Sequence, residues 1–162
     1  MKSVKIKLRK IIKFDWRYFR KWWKDKEIIK LTSGVCEKSN EVLKKYFLTI
    51  LENRKNRNFI IVLNKKAIGN IALVRRKGGW FETQIIIGEK KYWGKGYGTK
   101  AIQLLIKKAK TFGISKIYLE VRPNNLRAIK AYENSGFIKV KTKKYPKNKF
   151  LPETLLMKLK AR

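Results

Sequence analysis

The chain has no histidine, a single cysteine, three prolines, and only 11 Asp+Glu against 43 Lys+Arg. Each shortage excludes something. Without histidine, a proton must be taken by a carboxylate, a tyrosine, a lysine or water, and a histidine-ligated zinc is ruled out. The lone Cys36 cannot close an internal disulfide or build a metal cluster, and it reads as a small, half-buried residue. No metal is therefore expected. No apolar run approaches the roughly 18 residues that a membrane span requires, so no membrane partner is expected either. The opening MKSVKIKLRK is basic, but no apolar stretch follows it, and it does not read as a secretory signal. These features point to a cytoplasmic protein.

What is present describes a folded domain. At 162 residues, 44% hydrophobic and 12% aromatic, the chain is long and apolar enough for one domain, 1–162, with a substantial core. Its net charge of +32 attracts polyanions, so proximity to the ribosome or RNA is one expectation. Only ten of the 43 bases are arginine, the residue preferred for bidentate phosphate recognition, and the lysines run along the whole chain. A compositional bias fits that spread at least as well as a binding face.

Hydrophobic periodicity sets the element order. Val4–Ile11 alternates apolar and basic residues, as a half-exposed strand does. From Phe14, Trp16, Phe19, Trp22 and Trp23 recur at helical spacing, which predicts one amphipathic helix ending before Gly34, its aromatics mainly core. A second helix follows with Ser39 or Asn40 as its N-cap. FIIVL and AIGNIALV, linked by NKK, predict a hairpin, and WFETQIII a third strand. A helix closing on Gly113, the strand SKIYLEVR, a short helix closing on Gly136 and two last strands, IKVKTKK and ETLLMKLK, complete the order. This is an α+β pattern with helices on both faces of a sheet.

Two stretches carry chemistry. GKGYGT follows the strand QIII and opens a helix. Helix N-termini present unpaired N–H groups to anions, and glycines let backbone approach a phosphate closely. The spacing is neither that of a Walker loop nor GxGxxG, so nucleotide hydrolysis and dinucleotide binding are disfavoured. One strand later, Asn125, Ala128, Tyr132 and Gly136 fall at spacings of three and four, on one face of a short helix. An asparagine at the strand end and an inward tyrosine can then meet the ligand held by the glycine loop.

WGKGYG and NLRAIKAYENSGF, in this order and at this separation, resemble the acetyl-CoA signature of the GNAT N-acetyltransferase family. The resemblance covers nearly the whole chain and is sharpest over Ile85 to Phe137. It implies the GNAT fold, a mixed, mostly antiparallel sheet of about seven strands flanked by about four helices. It also implies transfer of acetyl from acetyl-CoA to a primary amine by direct attack, with no covalent enzyme intermediate. The first motif position is Trp93, where the family signature has Arg or Gln. WGKG with Trp93 resembles both the ribosomal-protein N-terminal acetyltransferases and some aminoglycoside acetyltransferases; with LEVR beside it, the ribosomal-protein branches are taken as nearest.

By this resemblance, the pantetheine arm of acetyl-CoA bonds the backbone of Ile86, Ile87 and Gly88. Its pyrophosphate lies on Gly94, Lys95, Gly96, Tyr97, Gly98 and Thr99, with Lys90 and Lys91 adding charge, and Asn125 contacts the cofactor. Tyr132 matches the acid for the leaving thiolate. Glu120 matches the base, with Glu82 or water as competitors, while Asp25 and Glu27 are placed to grip a cationic substrate. The expected acceptor is a protein N-terminal amine. A small-molecule acceptor, such as an aminoglycoside or amino sugar, is the alternative, although such polycations call for carboxylates that this chain has few of. The alternative of another class is a non-catalytic basic module binding RNA or an acidic partner.

Overall fold

The NKK link folds as a two-residue hairpin turn, with Asn64 and Lys65 both at positive φ (46° and 71°), the twist that suits a tight antiparallel pair. It joins β2 (Arg57–Leu63) to β3 (Lys66–Arg75). The computed structural model that shows this describes residues 4–34 and 38–160, and Cys36 lies outside them. Around the hairpin, β1 (Ile6–Lys10), β4 (Phe81–Ile87), β5 (Ile117–Val121), β6 (Phe137–Lys144) and β7 (Glu153–Leu159) complete one sheet. Its order is β1-β2-β3-β4-β5-β7-β6, and every pairing except β4 with β5 is antiparallel. This is the expected seven-stranded GNAT-type arrangement.

Among the described residues five helices cover the sheet where about four were expected: α1 (Trp16–Trp23), α2 (Lys26–Leu31), α3 (Asn40–Glu52), α4 (Tyr97–Thr111) and α5 (Leu126–Asn134). The extra one arises because the aromatic helix from Phe14 to Gly34 breaks in two. Asp25 turns extended and its side chain accepts from the Glu27 and Ile28 N–H groups, capping a new helix. The apolar periodicity runs through the break because both pieces bury the same side. Ser39 caps α3, accepting from the Val42 N–H, and α4 stops at Gly113, whose φ of +70° ends the helix as expected.

Strand alternation sends side chains into two cores. Phe59, Ile61, Leu63, Ile117, Leu119 and Val121 pack under α4 and α5. Ile60 and Ile86 face the other way, onto Phe19, Trp22 and Phe47. Phe19 and Trp22 are buried, and Trp16 and Trp23 pack partly buried against them, so most of the first-helix aromatics are core, as expected. Asp15 is fully buried too, held by a forked Arg9 at 2.7 and 2.8 Å and by the Ile12 N–H. No helix among the described residues is long and apolar enough to cross a membrane.

Candidate active site

The single parallel pairing is where the sheet opens. β4 and β5 match only at Phe81–Ile117 and Glu82–Tyr118, and beyond that point they diverge. A cavity of about 510 Å3 opens beside the diverging part of β4. Its wall includes Ile85, Ile86 and Ile87 of β4, Trp93 to Thr99 except Lys95, the α2 residues Ile28 and Leu31, and the stretch from Asn125 to Tyr132 except Ile129. The two motifs, about 25 residues apart in sequence, thus share one cavity.

The glycine loop presents bare donors. Gly94 and Gly96 take φ of +72° and +78°, which side-chain-bearing residues avoid, and a Cβ at either would meet nothing within 4 Å. Gly96 caps α4 without a side-chain acceptor, and no acidic residue stands in the first turn. The first N–H groups of a fifteen-residue helix therefore face the cavity wall with the positive end of the helix dipole. This is a fit to the pyrophosphate expected there, since an anion supplies the acceptors these amides lack.

The cations around it are not the expected ones. Lys90 turns away to Asp25 and Glu27, 3.1 and 3.2 Å off, and both carboxylates raise its pKa. Lys91 lies by the Tyr92 ring, and neither it nor Lys95 lines the cavity. Arg127 and Lys130 do. The Arg127 guanidinium stacks 4.0 Å from the centre of the Trp93 ring, which joins the glycine loop to α5 across the mouth. The sequence holds a signal for this pair: the spacing of three in LRAIK puts residues 127 and 130 on the face of α5 that also carries Ala131.

Ile86 and Ile87 line the cavity, but the Ile87 carbonyl already accepts from the Trp93 indole at 2.6 Å. Gly88 does not line it. The Trp22 ring lies against Gly88, so close that a Cβ there would come within 2.2 Å of the indole. Asn125 caps α5, accepting from the Ala128 N–H and donating to the Leu31 carbonyl, both at 3.3 Å, and it faces the cavity between α2 and α5.

Tyr132 lines the cavity from α5, almost entirely buried and edge-on to Phe137. Its hydroxyl makes no hydrogen bond among the described residues, and burial pushes its pKa far above the tyrosine range. The two candidate bases stand apart from the cavity wall. Glu82 is held by Arg76 at 2.5 and 2.8 Å. Glu120 accepts from Thr154 and Lys143 at 2.7 Å and from the Tyr145 hydroxyl at 2.5 Å. Burial alone would raise the Glu120 pKa, but these three donors outweigh it and hold the carboxyl below its ordinary value. A carboxylate so occupied is a weak proton acceptor. Among the described residues no three metal-ligating side chains come together.

Comparison with known proteins agrees with this geometry. The family model of the acetyltransferase (GNAT) domain matches residues 5–138. An uncharacterized protein of Methanocaldococcus jannaschii is 33% identical over 109 residues, 64% of this chain, although the match spans only 22% of that protein. The solved structure of aminoglycoside acetyltransferase AAC(6')-Ib with coenzyme A superposes with a TM-score of 0.82 at 21% identity, covering 98% of this chain and 95% of that one. Spermidine N-acetyltransferase of Vibrio cholerae, solved with CoA and spermine, gives 0.82 at 22% identity and 94% coverage of both chains. These likenesses correct the expected placement nearest the ribosomal-protein enzymes: both of these similar structures are small-molecule acetyltransferases. WGKG and LEVR belong to the glycine loop and to a strand, and neither reads the amine. The chain belongs to the GNAT acetyltransferase family.

Proposed function

We propose that the protein is an acetyl-CoA-dependent N-acetyltransferase whose acceptor is the primary amine of a small molecule. The observation that carries this is the shared cavity: the open edge of β4, the uncapped N-terminus of α4 and the Tyr132 hydroxyl all border one space. The small-molecule acceptor is supported by the substrates for which the similar enzymes are named, aminoglycosides and spermidine.

Acetyl-CoA supplies an activated thioester. The α4 amides with Arg127 and Lys130 hold its phosphates, and the open edge of β4 with Asn125 aligns its arm. The neutral amine attacks the acetyl carbon, the carbon–sulfur bond breaks, and the nitrogen loses a proton as the sulfur gains one. With Glu82 and Glu120 both occupied by cations, water is the favoured acceptor for the ammonium proton. Tyr132 aids the leaving group chiefly as a hydrogen-bond donor. Its hydroxyl is less acidic than a thiol, whose ordinary pKa is about 8.5, so complete transfer to the thiolate is uphill.

Calorimetry with acetyl-CoA, followed by a thiol-release assay across amine acceptors, tests the reading. Binding of acetyl-CoA is expected, and Tyr132→Phe is expected to slow turnover about 100-fold with cofactor binding little changed. Absence of acetyl-CoA binding would sink the proposal.

A further inference from the structure

Glycines leave a loop free to bend and do little to hold it in place. Gly94 and Gly96 stand at positive φ, and neither is packed against a neighbour, since a Cβ there would meet nothing within 4 Å. The position of this loop must therefore come from its two ends. At the far end α4 is fastened to the sheet, with Ala101, Ile102 and Leu105 buried in the core beneath it. At the near end stands Trp93.

The surroundings of Trp93 fix both its backbone and its ring. Its N–H donates to the Lys90 carbonyl at 3.0 Å and closes the short turn Lys90–Tyr92. Its indole Nε1–H donates to the carbonyl of Ile87, the last residue of β4, at 2.6 Å. The ring also packs against the core that holds Phe19, Trp22 and Phe47. An indole N–H lies in the plane of its ring, so the bond to Ile87 restricts which way the ring face turns. That face lies 4.0 Å from the Arg127 guanidinium. A guanidinium held over an aromatic ring keeps its planar fork of donors for an oxyanion. Trp93, Arg127 and the opening residues of α4 all border the one cavity.

We propose that Trp93 is the positioning residue of the phosphate site, tying the glycine loop to the end of β4 while its ring places Arg127. The α4 amides and the guanidinium are then brought to one anion by a single side chain. This rests on the acetyltransferase reading above and goes beyond it: Arg127 acts through Trp93 and is not an independent ligand.

Calorimetry on the full chain tests this with acetyl-CoA and with 3′-phospho-ADP, the phosphate end of CoA without its arm. Trp93→Phe keeps a ring under Arg127 and removes the indole donor, and is expected to weaken both ligands alike, about tenfold. Trp93→Leu removes ring and donor together and is expected to weaken both about a hundredfold. In a double-mutant cycle, Arg127→Ala is expected to cost about tenfold in wild type and less than about threefold beside Trp93→Leu. The same tenfold cost in both backgrounds would make Arg127 an independent ligand and overturn the proposal. So would a loss for acetyl-CoA with none for 3′-phospho-ADP, or wild type that binds acetyl-CoA and not 3′-phospho-ADP. Affinities unchanged in Trp93→Phe overturn it as well. A ring that only fills space would lower Tm and leave the Arg127 cost intact, which again overturns it. Trp93→Phe preserves the packing, so the comparison of the two ligands stands even where Trp93→Leu fails to fold. Failure of wild type to bind acetyl-CoA overturns the underlying reading and the proposal with it.

Discussion

Strand β4 has two neighbours and treats them differently. It pairs with β3 along seven residues, Phe81 to Ile87, and with β5 along two. The β3 side is a closed antiparallel ladder locked from above. Trp22 lies on Gly88, its indole N–H donates to Glu89 at 3.0 Å, and the Glu89 N–H returns to the Ile68 carbonyl. The β5 side is a parallel pair that needs α4 as its crossover, and its helix starts at the point where the strands part. An unpaired edge inside a sheet leaves backbone donors and acceptors unsatisfied, a state proteins ordinarily avoid. Here one such acceptor, the Ile87 carbonyl, is met by Trp93, and the stretch from Ile85 to Ile87 borders the cavity. Closure on one edge makes the opening on the other affordable.

That contrast predicts opposite responses to substitution. On the closed side, Trp22→Ala removes a wholly buried indole and its bond to Glu89, and is expected to cost about 3–5 kcal/mol of stability. Urea denaturation reads the loss. A cost below 1 kcal/mol would mean that the ladder is not locked from this face.

On the open side the effect moves from stability to binding. Arg127 is exposed and touches the protein mainly through the Trp93 ring. Arg127→Ala is expected to leave stability within about 0.5 kcal/mol. It should raise KM for acetyl-CoA about tenfold, near 1.4 kcal/mol of lost binding, with kcat little changed. Steady-state kinetics at fixed acceptor checks it. An unchanged KM would return the phosphate charge to Lys91 and Lys95.

The same contrast separates what the sequence made legible from what it did not. Period-two and period-three-to-four patterns placed all seven strands, because burial is written locally in which residues alternate. The glycine loop and the Asn125–Tyr132 face were legible for the same reason: each lies within one turn or one helix. The break at Asp25 was not, since apolar spacing continues across it and only the capping carboxylate betrays it. Ion pairing was the least legible. Lys90, expected to add charge at the phosphates, meets Asp25 and Glu27 across two elements, and Glu120, favoured over Glu82 as the base, is occupied by Lys143 and Tyr145 from β6 and the loop after it. Such partners follow from strand order, which local spacing does not encode. The branch of the family was misjudged because the residues quoted for it lie in the glycine loop and on β5, where they encode turn and strand rather than the choice of amine.

The smallest predicted effect lies on β5, the strand that leaves β4. The Glu120 carboxyl titrates below its ordinary value of 4.5 in the folded protein, its burial outweighed by donors from Lys143, Tyr145 and Thr154. A depressed carboxylate stabilises the fold fully above the unfolded pKa and loses that contribution as pH falls through the folded one. Glu120→Gln keeps the shape and removes the charge. Wild type is therefore expected to exceed the variant by about 1 kcal/mol at pH 7. The two urea curves should converge progressively as pH drops below 4.5. The turnover of the variant should stay near that of wild type, because the carboxylate is occupied by its three donors and stands off the cavity wall. A constant stability gap across this range would remove the carboxylate network as its cause, and a collapse of turnover at neutral pH with stability intact would restore Glu120 as the base.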